Sequence, residues 1–571
     1  MNKNQLKSLI PVAIAMIISA IVYVPSLGNR FTNWDDPAFI TENPDIQDLS
    51  CKSMGKFFTH SYGGFGGYVP FVLLSYALEY ELSGLDPGTF HAVNLILHLI
   101  NCVLVYWFIF LVSRQRWTAF FVSLLFGIHP IHVEAVAWIQ GRKDLLFSFF
   151  YLAALITYIK YREKEEKKIF YYGTLIFFIF SLFSKVAAIS LPFALLLLDY
   201  FISKGQIRVS IRKMLPFFLA AFLFLVFSFL TSVAGSFVIQ ETNKGYLDNI
   251  LVFFFSFVFY IGKIFLPIRL SARYPLEIFD LMPTFLLLAV LVIFAAVIII
   301  LYRFYRITKS EVTFGILFFL VTLMPTLPFH FIGQPYADRY MYLPVIGIFY
   351  LGALFFHYLY VKKFRVWKKG KVLLWIGFIF LTFTLGATSW RQCKVWKDSL
   401  TLWNDVLESY PTLPLAYLDR GEAYLRMGEM EKALQDLNKS VLLDPGNAHA
   451  YNDRGIIYFH RKQYRQALVE YNKALTIDPG YFNAYLNRGN LLGKLGFYGK
   501  AIMDYDMAVR LNPSSVSAYF YRGITHGKLG NLKQAELDFK EAIKIDPGFS
   551  SAYKELSKIY EQQTRGVNTP L

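Results

Sequence analysis

Charge and cysteine are both scarce in this chain. Only 17% of its 571 residues are Asp, Glu, Lys or Arg, against about 25% in an ordinary soluble domain. Its three cysteines, Cys51, Cys102 and Cys393, are too few for a disulfide framework and lack the paired spacing of a zinc site. Together these shortages exclude a soluble cytosolic enzyme and a disulfide-knit secreted domain. Acidic residues are short as well, 40 against 57 basic for a net charge of +17. The imbalance is concentrated: 36 basic and 23 acidic residues precede Pro414, whereas 21 and 17 follow from there. A basic surplus in short loops between apolar runs marks the cytoplasmic side of a membrane protein, not a nucleic-acid surface.

What the chain has in abundance is apolar and aromatic surface, 55% and 18% of residues, with 57 Phe and 38 Tyr. Its length admits three or four domains at ~150 residues each. Apolar stretches of about 17–25 residues are long enough to cross a bilayer as helices. They fall near 9–27, 89–112, 117–137, 144–160, 169–184, 186–203, 214–234, 249–267, 281–302, 312–328, 341–360 and 371–390. The first is long and followed by many more, so it reads as a retained anchor and not a cleaved signal. Basic loops at Arg114/Arg116, Lys160–Lys168, Lys204–Lys213, Arg303–Lys309 and Lys362–Lys371 place the N-terminus inside. The long loop 28–87, the segments 138–143 and 329–339, and everything after Trp390 then lie outside. An inside start and an outside end require an odd count. The expectation is therefore eleven crossings, with 249–267, which no strong basic loop flanks, re-entrant or interfacial.

After residue 410 the sequence repeats itself. Ala-Tyr pairs begin at Ala416, Ala450, Ala484, Ala518 and Ala552, at an unvarying interval. Ala433, Ala467, Ala501 and Ala535 keep that period, as do Pro445, Pro479, Pro513 and Pro547. A period of about 34 residues, with small residues where two helices touch and a helix-stopping proline at each end, makes the tetratricopeptide pattern. The expected fold class is all-α: a polytopic transmembrane bundle followed by a tetratricopeptide solenoid. The expected domains are a membrane domain over 1–395, a partial repeat or connector at 396–413, four repeats over 414–549, and a capping helix and tail at 550–571. Such solenoids have a concave face. Asp419, Asp453, Asn487 and Tyr521 are expected to line it as a polypeptide-binding groove, against the alternative that they are merely solvated helix positions. Arg420, Arg454, Arg488 and Arg522 read as structural contacts between repeats.

Candidate chemistry collects at the outer ends of the spans. Asp35 and Asp36 form an acidic doublet after the first span. Two carboxylates beside a low-dielectric boundary repel each other and are costly unless used, which suits a general base that takes a proton from a hydroxyl; a solvated turn or helix cap is the plainer reading. His129, His132 and Glu134 could bind a metal, hold a phosphate or share a proton. Catalytic metal sites normally need three fixed protein ligands, so donors around an anionic headgroup are favoured and no metal site is assigned, with a divalent metal left open. Lys185 between two apolar segments is a counter-ion for phosphate or a snorkelling cation. Arg339 could clamp phosphate through two parallel hydrogen bonds or simply pair with Asp338. Arg142 and Asp144 belong to the same outside group.

On these residues the chain resembles the transmembrane and tetratricopeptide repeat O-mannosyltransferase-like proteins, within the multi-spanning glycosyltransferases that use lipid-phosphate sugars. The resemblance runs through Asn33-Trp34-Asp35-Asp36, Tyr68-Val69-Pro70, Phe90-His91-Ala92-Val93-Asn94 with His98, and His129-Pro130-Ile131-His132-Val133-Glu134-Ala135-Val136. Gly141-Arg142-Lys143-Asp144, Ser184-Lys185, Asp338-Arg339-Tyr340 and the repeats complete it. Two positions depart from the family: Val69, commonly Arg, and Val186, commonly acidic. The resemblance implies transfer of a mannose-like hexose from a polyprenyl-phosphate carrier to Ser or Thr of a protein. Asp35 or Asp36 would be the base. Arg142, Lys185, Arg339, His129 and His132 would lie around the donor phosphate, with Glu134, Asp144 and Asp338 in support. The expected partners are the lipid-linked sugar and a protein acceptor held by the repeats, with no nucleic acid. The expected location is a bacterial inner membrane with periplasmic repeats, or the endoplasmic reticulum with lumenal repeats. The alternative is a non-catalytic membrane scaffold whose repeats recruit proteins.

Overall fold

The computed structural model describes residues 3–62, 67–163, 167–203, 211–234, 246–275, 309–326, 336–365 and 367–567. The expected crossing near 281–302 and the loop 327–335 lie outside these residues, as do 204–210 of one basic loop. The chain forms two compact units, Met1–Tyr410 and Pro411–Leu571. The first is built from α-helices and short turns of 3-10 or π helix and the second from α-helices, with no strand among the described residues.

In the first unit, six described helices are long and apolar enough to cross a bilayer: Ile10–Gly28, Pro87–Ser113, Ile139–Glu163, Ile211–Thr231, Val345–Lys363 and Lys368–Lys397. A seventh candidate, Arg116–Ile128 with Pro130–Ala137, is bent by 55°. Its break falls at His129-Pro130, because proline has no N–H to continue the helical ladder. Lys168–Leu182, Val186–Ile202, Phe255–Phe265 and Ser310–Thr326 are apolar but shorter. Large apolar side chains on the outer helices face outward, among them Phe380 at 68% and Phe383 at 72% exposure. That is the inverse of a water-soluble surface and fits lipid as the solvent. Inside, Pro87–Ser113 packs against Arg142–Glu163, Arg116–Ile128 and the N-terminal helix. Ser399–Ser409 belongs to this first unit.

The second unit stacks four antiparallel helix pairs and a closing helix. The pairs are Pro414–Arg426 with Met430–Leu443, Ala448–His460 with Tyr464–Ile477, Phe482–Lys494 with Tyr498–Leu511, and Val516–Lys528 with Leu532–Ile545; Ser550–Val567 closes the stack. Ala433, Ala467, Ala501 and Ala535 are fully buried at the helix contacts. The turn inside each pair needs a left-handed residue, which Gly428, Gly496 and Gly530 supply (φ 79°, 83° and 78°). Lys462 adopts the same conformation in the second repeat (φ 61°). The repeating arginines are structural, but each reaches the second helix of its own repeat. Arg420 holds Asp436 (2.7 and 2.8 Å), Arg454 holds Glu470 (2.8 Å), Arg488 holds Asp504 (2.8 and 2.7 Å) and Arg522 holds Asp538 (3.0 and 2.6 Å). Arg488 and Arg522 also reach back one repeat, to Asn472 and Asp506.

Candidate active site

The segment after the first span is pinned to residues 393–403, so its acidic doublet has a fixed place. Asn29 Nδ2 donates to the Cys393 carbonyl (3.1 Å), Arg30 N to the Lys397 carbonyl (2.8 Å) and Asn33 N to Ser399 Oγ (2.9 Å). Trp403 Nε1 donates to Asn33 Oδ1 (2.9 Å). Trp34 stacks on Trp138 with ring centroids 4.9 Å apart, lies parallel to Trp396, and meets Trp403 edge-on.

This anchoring gives the two aspartates different environments. Asp36 is 1% exposed, and its Oδ2 accepts from Thr32 N (2.8 Å) and Thr32 Oγ1 (3.0 Å), closing the turn. Its Oδ1 is buried without a hydrogen-bond partner. Burial pushes the Asp36 carboxyl up to about 7, against the opposing Thr32 bonds and with help from the neighbouring Asp35 charge. Asp35 points the other way: its side chain is 37% exposed, with Oδ2 3.9 Å from Lys143 Nζ.

The turn Ile139–Gly141 leads into the helix Arg142–Glu163. A Cβ at Gly141 would collide with the Ala135 carbonyl, so glycine allows this turn to close on the preceding helix. Successive side chains on a helix point in different directions, and the next three separate accordingly. Arg142 turns inward, fully buried, to Glu79, Asn94, Ser75 Oγ (3.2 Å) and the Phe90 carbonyl (2.8 Å). Lys143 turns toward Asp35, with its ammonium 5.3 Å from the Trp138 ring centre. Asp144 pairs with Lys185, whose Nζ lies 5.1 Å from the Tyr340 ring centre.

Arg339 completes the group from the turn Asp338–Met341. It pairs with Glu134 through its side chain, while its backbone N–H donates to Glu134 Oε2 (2.8 Å). Its guanidinium lies 5.3 Å from the Trp138 ring centre and 5.7 Å from that of Trp34. Asp35, Arg339, Asp144 and Lys185 all act on the charge of Lys143. Asp338 does not pair with Arg339 in the manner of a simple surface bridge; it is buried and accepts from Tyr274 Oη (2.8 Å). Burial and the Glu134 charge raise its carboxyl.

The structure therefore brings together Asp35, Glu134, Asp144, Lys185 and Arg339 over a tryptophan stack. The two histidines are directed elsewhere. His129 Nε2 donates to the Ile264 carbonyl (2.9 Å) and His132 Nδ1 to the Phe126 carbonyl (2.7 Å), both buried and packed with Phe349. Among the described residues, no group of three or more His, Cys, Asp or Glu is placed to hold a metal ion. Lys143, Trp138, Trp396 and Tyr340 are the members that sequence reasoning did not single out. In the repeats, Asn487 and Tyr521 line a cavity, whereas Asp453 is buried with Asn452 Nδ2 donating to it (3.1 Å). Asp419 lies half-buried beside Glu422, whose carboxyl is raised by burial and by Asp453 and Asp419.

Comparison with known proteins gives this arrangement a context. Residues 78–231 match the dolichyl-phosphate-mannose-protein mannosyltransferase family, a stretch that contains Lys143, Asp144 and Lys185. Residues 415–447, 455–496, 482–515 and 516–549 match tetratricopeptide repeat families. A protein O-mannosyl-transferase of Caenorhabditis elegans is 26% identical over 460 residues, covering 76% of this chain and 62% of its own length. The chain resembles the transmembrane and tetratricopeptide repeat O-mannosyltransferase-like proteins. Protein O-mannosyl-transferase TMTC1 of Homo sapiens is 39% identical over 149 residues, 24% of this chain and 17% of its own. Protein O-mannosyl-transferase TMTC2 of Homo sapiens is 32% identical over 155 residues, 26% and 18% respectively. The chain thus spans less than two thirds of the length of each of these O-mannosyltransferase-like relatives.

Proposed function

We propose that this membrane protein transfers a mannose-like hexose from a polyprenyl-phosphate carrier to Ser or Thr hydroxyls of a polypeptide on the non-cytoplasmic side. The observation that carries the reading is the exposed Asp35 carboxylate facing Lys143 beside Lys185 and Arg339. In one displacement, Asp35 takes the acceptor O–H proton and the hydroxyl oxygen bonds to the anomeric carbon. The carbon–oxygen bond to phosphate breaks and its electron pair leaves with the phosphate. Attack from the face opposite the leaving group inverts the configuration. Lys143 and Lys185 favour the charge developing on the phosphate, as fixed cations in a poorly solvated site do. Arg339 is held by Glu134 against the tryptophans and shapes the floor of the site. Asp35 is assigned as the base in preference to Asp36 because a substrate hydroxyl must come within hydrogen-bond reach, and Asp36 is buried and committed to Thr32. Arg142, His129 and His132 support the fold around the site.

The charge pattern of the loops supports non-cytoplasmic placement of Asp35 and of the repeats, which would hold the acceptor and raise its effective concentration. The test is sugar transfer by membranes given labelled polyprenyl-phosphate mannose and an acceptor protein, comparing Asp35→Ala, Asp36→Ala and the double variant. Loss of transfer with Asp35→Ala at normal protein abundance is expected. Undiminished transfer by the double variant would leave the scaffold reading in its place.

A further inference from the structure

We infer that the concave groove over the second to fourth repeats binds an acidic stretch of polypeptide. The groove contains a cavity of ≈ 490 Å³ whose lining includes His460, Lys494 and Lys528 and no carboxylate. These three recur at the repeat period, at the last turn of the first helix in successive repeats. They therefore present one basic group per repeat along the same face.

Nothing within the described residues neutralises the two lysines. Neither forms an ion pair; Lys494 rests 5.1 Å from the Phe459 ring centre and Lys528 5.6 Å from that of Tyr498. The contrast with the arginines of the same helices is informative, because Arg488 and Arg522 are each matched to a carboxylate on the second helix of their repeat. The framework thus satisfies its own cations and leaves those of the groove to an occupant. Polar anchors for an extended backbone stand beside them. Asn487, which lines the cavity, donates through Nδ2 to Asn452 Oδ1 (2.9 Å), which leaves its own carbonyl oxygen available to accept. Asn490 Oδ1 accepts from Tyr505 Oη (2.8 Å), which leaves its amide N–H groups to donate.

At the first repeat the basic row continues with Arg426 in the last turn of its first helix, but carboxylates stand beside it. There Asp419 and Arg426, together with Asp453 of the second repeat, act on the charge of Glu422, whose carboxyl burial raises. The cavity that would take the acidic stretch is lined by residues of repeats two to four. Binding of such a stretch rests on the repeat unit alone; its identity as the sugar acceptor rests on the transferase proposal above.

The test uses the full chain in nanodiscs of zwitterionic lipid. Fluorescence anisotropy compares a labelled acidic peptide with its counterpart bearing Gln and Asn in place of Glu and Asp, at low and at physiological salt. The acidic peptide is expected to bind more tightly by roughly tenfold or more at low salt, with a margin that narrows as salt rises. Lys494→Glu with Lys528→Glu should abolish that margin, and Lys494→Arg with Lys528→Arg should keep it, which separates charge from folding. Equal binding of the two peptides, or a margin that survives charge reversal, overturns the inference. A wild-type chain that binds the acidic peptide but transfers no sugar condemns the enzyme reading and not the groove.

Discussion

Replacing Asp36 by Asn is expected to stabilise the first unit at alkaline pH while leaving its turn intact. The Asp36 carboxyl moves from 3.8 in the unfolded chain to about 7 in the fold, with burial the largest cause. At ~1.36 kcal/mol per pH unit, this corresponds to at most ~4 kcal/mol of destabilisation when the group is forced to ionise in place. The sign follows from the folded value lying above the unfolded one. Stability is full below pH 3.8, falls as pH rises from there, and levels off above about 7. Asparagine keeps an oxygen for Thr32 N–H and Oγ1 but puts its amide N–H groups where Oδ1 now has no partner, which costs roughly 1–3 kcal/mol. Above pH 7 the variant should therefore gain roughly 1–3 kcal/mol on the wild type, and in acid it should lose a comparable amount. Thermal unfolding in detergent, followed by tryptophan fluorescence from the Trp34–Trp138 stack, reads this as two curves of melting temperature against pH that cross. Parallel curves would show that Asp36 carries no burial penalty and would remove the reason for separating its role from that of Asp35.

Asp35→Asn should lower sugar transfer by ~100-fold or more, the range for loss of a general base, with a melting temperature close to that of wild type because its carboxylate is partly exposed; single-turnover transfer and a melting curve on the same preparation check both. Arg142→Ala should reduce the yield of folded protein, since it leaves Glu79 buried and unpaired at a cost of about 3–5 kcal/mol. Lys143→Gln should fold normally and weaken donor binding, so the two neighbours are distinguished by melting temperature against KM for the lipid donor. Lys462→Gly should stabilise the repeat unit by up to ~1 kcal/mol, because glycine adopts the left-handed turn without steric cost; thermal unfolding of the full chain followed by hydrogen exchange in the repeats reads it.

The repeats were legible in the sequence because their fold is local: each pair of helices is fixed by residues within a single repeat, and every Ala and Pro at that spacing reports the same contact. The arginines were legible in kind but not in partner. Arg420 and Asp436 lie on different helices, and the sequence alone does not show whether a basic side chain reaches its own second helix or the next repeat. In the membrane unit, apolar length marks helices well but locates crossings poorly where polar chemistry interrupts them. The bend at His129-Pro130 divides the run 117–137, which looks continuous by hydropathy, whereas the break at Lys185 was visible as a charge between two apolar segments. Arg142 and Lys143 show the limit most clearly. Adjacent basic residues after a glycine give no sign of which one turns inward; that is decided by Glu79 and Asn94, which lie on two earlier helices. The aromatic floor was hidden for the same reason, as Trp34, Trp138, Trp396 and Trp403 come from three distant segments.

The pairing within the site explains why a phosphate would enter it at Lys143. Arg339 is tied to Glu134 and Lys185 to Asp144, both with carboxylates that are almost wholly buried. Separating either pair would leave an uncompensated charge in a poorly solvated place, at a cost of several kcal/mol. The Lys143–Asp35 contact is the longest of the three at 3.9 Å and has the most exposed carboxylate. Exposed contacts of this kind contribute about 0–1 kcal/mol, so in the proposed reaction an incoming phosphate would displace Asp35 from Lys143 at little cost. The same exchange would free the carboxylate proposed to receive a proton, and that proton would keep the charge of the site balanced once the phosphate had arrived. In the proposed reaction donor binding and base release would thus be one event at one lysine, so removing that lysine should affect donor affinity while removing Asp35 should affect the chemical step.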